Sequence, residues 1–170
     1  MADFGPAFEK TVRTWERFEL TDHAADYGRQ TYAGISRRYH PDWKGWALVD
    51  DQRDVPEQLV RAFYREQFWD AIEGDAIASQ PAAEIIFDWA VQRGAFRAKL
   101  LVLEVLGLPA TLGMLAAVRE LNNLAAPRAF VMDYGLRRLQ HREAVVSRDG
   151  SQRQFLLGWL RRDLTFGLAA

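Results

Sequence analysis

Residues 79–94 read S-Q-P-A-A-E-I-I-F-D-W-A-V-Q-R-G. Ser79 can cap a helix through its hydroxyl, and Pro81 suits a first turn, where its missing N–H costs nothing. Gly94 is a natural stop, and between these signals Ile85, Ile86, Trp89 and Ala90 recur at helical spacing. The pattern continues outward toward the C-terminus. Ala95 to Leu106 ends at Gly107, and further helices are expected from Thr111 to Asn122, Arg128 to about Ser147 and Ser151 to about Leu164. Toward the N-terminus, Pro56 opens a helix with the face Leu59, Phe63, Phe68, Trp69 and Ile72, and Gly74 reads as its C-cap. Pro6 opens a first helix carrying Phe8, Val12, Trp15 and Phe18. From Leu20 to Asp54 the helical period dissolves into glycines, aspartates and single aromatics, with a small β-hairpin expected around Tyr32. The fold class is therefore all-α, mainly helical with a small loop and hairpin region. Trp69, Trp89 and Trp159 sit among apolar neighbours at helical spacing and are expected in the core.

The chain of 170 residues suffices for one compact domain or two small halves, and a boundary is expected between Asp75 and Pro81. That divides it into 1–78 and 79–170, packed as one unit. With 49% hydrophobic and 26% charged residues it can bury a core, which excludes disorder. A net charge of −1 excludes a generic nucleic-acid binder, which needs a large positive surface. The absence of cysteine removes disulfides, thiolate zinc sites and cysteine nucleophiles. His23 with Asp22 and Asp26, and His40 with Asp42, match no metal-site spacing, so neither a metal nor a cofactor is expected. The longest uncharged stretch, Val105 to Val118, is too short to span a bilayer, and no secretory signal is visible at the start. No G-x-S-x-G, P-loop, G-x-G-x-x-G or H-E-x-x-H motif occurs.

The chemistry concentrates in W-E-R-F-E-L-T-D-H-A-A-D-Y-G-R-Q-T-Y-A-G-I-S, residues 15–36. Splitting a glycosidic bond requires a protonated carboxyl for the leaving oxygen and a second group to handle water or the oxocarbenium charge. Glu16, beside Trp15 and Phe18, is the candidate acid. Asp26 would remain ionised in a polar turn, and Thr31 would help to hold a water. Tyr32, Tyr39, Trp43 and Trp46 offer aromatic faces for sugar rings. The pairs Arg37-Arg38, Arg137-Arg138 and Arg161-Arg162 could meet acidic groups of a partner.

This segment resembles the active-site stretch of the glycoside hydrolase family 108 muramidases, lysozyme-like phage endolysins and secretion-associated lysozymes. Their pattern runs E-G-G-Y, then D-P-G-G-x-T-x-x-G-I-S/T. Asp26, Gly28, Thr31, Gly34, Ile35 and Ser36 match the second part, and Glu16 falls at the family's catalytic glutamate when one residue is inserted before Asp26; against the same pattern Glu19 leaves too few residues before Asp26 and is the lesser candidate. Y-R-E-Q-F-W-D-A-I at 64–72, I-F-D-W-A-V-Q-R-G at 86–94 and F-L-L-G-W-L-R-R at 155–162 resemble the peptidoglycan-binding-type helical region that follows in this family. The chain departs from the pattern at Arg17 and Phe18, which replace glycines, and at Arg29, and the two bulky residues at 17 and 18 would narrow a sugar subsite. The resemblance implies a lysozyme-like fold, catalysis by Glu16, Asp26 and Thr31, and peptidoglycan glycan strands as partner. The bond implied is the β-1,4 link between N-acetylmuramic acid and N-acetylglucosamine, cut in the periplasm or cell wall, with a phage holin or secretion machinery delivering the protein. The alternative is a catalytically degenerate fold acting as a glycan-binding or assembly module. Arg162 is implied to tie the last helix down.

Overall fold

The computed structural model describes residues 1–22 and 30–167. Among them are eight α-helices and one small antiparallel sheet. Asp3 caps α1 (Phe4–Phe8) by accepting from the Gly5 N–H at 2.8 Å. The helix then widens into a π-helical stretch, Glu9–Glu16, closed by the Arg17 N–H donating to the Val12 carbonyl at 3.0 Å. The irregular region supplies β1 (Leu20–Asp22), β2 (Gln30–Tyr32) and β3 (Ile35–Ser36), in that order across the sheet. The expected hairpin is β2–β3, with Tyr32 opposite Ile35. Its loop is Ala33-Gly34, with φ of 48° and 78°. Two successive positive φ values match the twist of paired strands.

A short α2 (Gly45–Asp50) precedes α3 (Glu57–Tyr64), which passes into π and 3₁₀ turns to Ala76. The central element is α4 (Gln80–Arg93). Its Ser79 cap accepts from the Ala82 N–H, and every residue from Ala82 to Ala90 is buried. Sequence periodicity gave it one apolar face; the structure buries all of them, because α1, the π stretch, α5 (Ala95–Val105), α7 (Pro127–Arg148) and α8 (Leu156–Gly167) all pack on it. Beyond α5 lies α6 (Met114–Asn122). Among the described residues no helix is long and apolar enough to cross a membrane.

Several sequence readings are corrected. The left-handed residue ending the turns after α3 is Glu73, at φ 55°, rather than Gly74. Glycine is needed at 74 for another reason: a Cβ there would fall inside the indole of Trp69, which is fully buried and donates through Nε1 to Asp75 at 2.8 Å. Trp46 is 3% exposed, and its Nε1 is bonded to the His40 carbonyl at 2.8 Å, so its ring supports the loop from beneath and offers no face to a sugar. Arg138 is fully buried and faces no wall polymer. Trp69 and Trp89 are in the core as expected, but Trp159 is only half-buried. Gly74→Ala should lower stability by about 1–3 kcal/mol through overpacking against Trp69, read from the midpoint of denaturant unfolding.

Candidate active site

Glu16 is the last residue of the π-helical stretch, a geometry that occurs frequently at functional sites. Its carboxylate meets two elements distant in sequence. Arg162 of α8 donates from Nη1 to Glu16 Oε1 at 2.7 Å. The other oxygen, Oε2, lies against Gly34 at the hairpin tip, where a Cβ would come within 2.7 Å of it and within 2.5 Å of the Tyr64 hydroxyl. Gly34 thus needs to be glycine twice, for its φ of 78° and for this approach. The Tyr64 hydroxyl fixes the tip by donating to the Ala33 carbonyl at 2.7 Å. Burial pushes the Tyr64 phenol well above its usual value, nearby Glu16 adds to this, and Arg162 works against it.

Arg162 reaches two acids. Its Nε donates to Asp88 Oδ1 at 2.7 Å, with Nη2 equally close, while Nη1 holds Glu16. Burial alone would favour the neutral form, but Asp88 and Glu16 together outweigh it and raise the guanidinium above its ordinary value. Behind it, Arg138 bonds Asp88 and Asp163, each at 2.5 Å, and Arg142 bonds Asp163 and Gln92. Three carboxylates thus face three guanidiniums. The implied role of Arg162 in anchoring the last helix has a concrete form here: the same residue anchors Glu16.

Glu16 opens onto a cavity of about 490 Å³ whose walls include Trp15, Gly34, Gln92, Arg93 and Trp159. Gly34 and Arg93 also border a neighbouring hollow of about 630 Å³ containing Tyr39, His40 and Phe63. Tyr39 and His40 in turn reach a third hollow, of about 470 Å³, with Trp43 and Leu59. The shared walls make one trough leading away from Glu16. Burial holds the His40 imidazole below its usual value.

Of the residues selected from sequence, Glu16 stands on this trough, Tyr39 and Trp43 border its farther hollows, and Tyr32 stacks on Trp43 with ring centres 6.0 Å apart. Thr31 lies in the middle of β2, opposite Ser36, three positions before the Gly34 that meets Glu16. Asp26, with His23 and Arg29, lies outside the described residues. Glu19 is exposed after the π stretch. Trp159, expected in the core, shares the Glu16 cavity and lies beside Arg142, whose guanidinium is 5.0 Å from its ring. Its signal was the three-residue spacing to Arg162, which sets both on one helix face. Among the described residues no three His, Asp or Glu side chains gather as a metal site.

The residues at the two family glycine positions take different courses. Phe18 turns onto Phe8, with ring centres 6.3 Å apart, and Arg13 covers it, so it packs toward the core. Arg17 holds φ 57° and ψ 168°, a region that is essentially glycine's own. A glycine at 17 would take this backbone without strain.

Residues 10–94, half of the chain, match the model of the glycosyl hydrolase 108 family, and the protein belongs to that family. The match runs from the π-helical stretch to the glycine that ends α4. SagA of Brucella abortus has a similar structure, with a TM-score of 0.67 and 22% identity over 96% of this chain and 95% of that one. That likeness shows the fold to be the mainly helical, lysozyme-like one implied by the sequence. No curated protein matches the chain. Membership supports a lysozyme-like peptidoglycan hydrolase function acting at the cell wall.

Arg162→Ala should cost about 3–5 kcal/mol in denaturant unfolding, because buried Asp88 loses a partner. Arg162→Lys should not restore it, since one ammonium cannot span both acids as the planar fork does. Arg17→Gly should raise stability by about 1 kcal/mol, the relief of strain less the entropy cost of glycine, seen as a higher unfolding midpoint.

Proposed function

We propose that this protein hydrolyses the β-1,4 bond between N-acetylmuramic acid and N-acetylglucosamine in peptidoglycan, with Glu16 as the general acid. The observation that carries the reading is the asymmetric setting of the Glu16 carboxyl. Oε1 accepts from Arg162, while Oε2 has no hydrogen-bond partner among the described residues and stands at the hairpin tip on the cavity. In the neutral acid the proton belongs on Oε2, and Oε1 remains the acceptor for Arg162. A leaving glycosidic oxygen seated at the cavity would take that proton as the C–O bond breaks. Arg162 then meets the carboxylate that forms, so the charge created by proton transfer has a counter-ion already in place.

Asp26 and Thr31 are assigned the water and the oxocarbenium charge, following the family motif that they match. The hollows beyond Gly34 adjoin one another, and Tyr39 and Trp43 supply aromatic surface on their walls. Trp159 adds a half-buried indole in the cavity of Glu16 itself. Delivery to the wall through a holin or a dedicated secretion route is the partner class consistent with this reading. A degenerate, binding-only module is the lesser reading. It is motivated by the substitutions at Arg17, Phe18 and Arg29, of which Phe18 packs on Phe8 and Arg29 lies outside the described residues.

The test is release of new reducing ends from purified sacculi, with mass spectrometry of the soluble muropeptides. Glu16→Gln keeps an acceptor for Arg162 but has no proton to give, and should reduce the rate by about 10²–10⁴-fold while preserving the helical circular dichroism. A rate near wild type would overturn the assignment. Wild-type protein that pellets with sacculi and releases nothing would favour the binding module.

A further inference from the structure

The interior arginines of this protein are matched one for one by acids, and two arginines beside them are not. Arg93, the last residue of α4, and Arg97, in the first turn of α5, flank Gly94. Neither forms an ion pair or a hydrogen bond with any described residue, and Arg93 Nε is buried without a partner. Both border the hollow next to Glu16, and Arg93 also borders the cavity of Glu16 itself. Asp88 and Asp163 are bonded to Arg138, Arg142 and Arg162, and Glu104, which shares a smaller hollow with Arg93 and Arg97, is paired with Arg137 at 3.2 Å.

Four arginines act together on one side chain beside this wall, in a chain whose net charge is −1. That side chain is His141: its imidazole is held below the usual value by burial first, and then by Arg93, Arg142, Arg97 and Arg148. Arg93 is itself lowered, by burial and by the charge of Arg97. A half-buried guanidinium facing another of like charge is unfavourable unless an anion arrives to share them. Planar donors of this kind bind carboxylates through paired charge-assisted hydrogen bonds.

We infer that Arg93 and Arg97 form a carboxylate-binding subsite next to Glu16, which engages the acidic substituent on the muramic acid residue of the glycan. The inference rests on the reading of the Glu16 cavity as a glycan-cleaving site. The sugar rings of such a strand are neutral, so a charged wall beside the cavity has no use for the backbone. The muramic residue carries the only anion close to the bond, either as carboxylates of its attached peptide or as the free lactyl carboxylate where the peptide has been removed. The subsite makes the protein a reader of that substituent and gives it a preference over uncharged N-acetylglucosamine polymers.

The experiment measures binding by isothermal titration to protein carrying Glu16→Gln, so that turnover does not interfere. Three defined ligands are used: a peptide-bearing muramyl tetrasaccharide, the same sugar without its peptide, and a neutral N-acetylglucosamine oligomer of equal length. Arg93→Ala with Arg97→Ala should weaken the charged ligands about tenfold or more, while the neutral oligomer is unaffected. The preference should shrink as salt is raised. The exposed Arg97→Ala alone, a surface change that does not threaten folding, should show part of the loss. A loss confined to the peptide-bearing ligand assigns the anion to the peptide, and a loss shared by the peptide-free sugar assigns it to the lactyl group; either supports the subsite. Equal affinity for all three ligands, unchanged by the arginine substitutions, would overturn it. Full cleavage of sacculi by Glu16→Gln would refute the general-acid assignment alone, since the charge preference is read from binding. Failure of every ligand to bind would overturn both.

Discussion

Arg162 bonds Asp88 in the middle of the central helix and Glu16 at the end of the N-terminal π stretch, across 146 residues of chain. The placement of Glu16 against the last helix rests on that double contact. Asp88 is fully buried and cannot be left without cations, so Arg138 and Arg162 must both arrive, and they bring α7 and α8 with them. Asp163 then needs Arg138 and Arg142, which fixes how α8 lies against α7. Such a network adds little net stability compared with apolar packing, because desolvating each ion offsets most of the attraction. What it imposes is register: a shift of α8 by one position would leave buried charges unpaired. The carboxyl of Glu16 therefore stands where the scaffold has placed it.

The second constraint is steric. The hairpin tip can reach Glu16 only because residue 34 has no side chain, and it stays there because Tyr64 holds the preceding carbonyl. The π stretch delivers Glu16 at its last position, and the backbone must then turn sharply at Arg17 through a conformation that side chains resist. Strain at this point is located where a carboxyl has to be presented to a cavity, and the burial of the surrounding helices compensates for it. Phe18, released from the turn, spends its ring on Phe8 and leaves the cavity open.

Most of the helices were legible because their signals are local: a serine cap with proline at 79–81, and glycines at 94 and 107 with positive φ after the last helical residues. The hairpin was legible for the same reason. Misreadings arose where one signal has two physical causes. Gly74 ends no helix by its own dihedral and is required by the Trp69 indole. Trp46 and Trp159 are both aromatic residues in promising company, yet one is sealed beneath a loop and the other stands in the cavity. Arg138 and Arg162 each follow another arginine, and in both pairs it is the second that goes inside. A sequence carries no mark for which of two adjacent charges will find buried acids.

The helical class and the glycine-bearing hairpin are written in the chain itself, and the short family pattern singles out Glu16. Caps, turn residues and hydrophobic period act over a few positions, and the family pattern around Glu16 is equally short. Tertiary structure alone decided what surrounds that carboxyl: the arginine from the last helix, the bare backbone of Gly34, the indole of Trp159 and the unmatched charges of Arg93 and Arg97. These contacts join residues far apart in the chain, and their energies come from desolvation and close packing, which exist only once the helices have assembled.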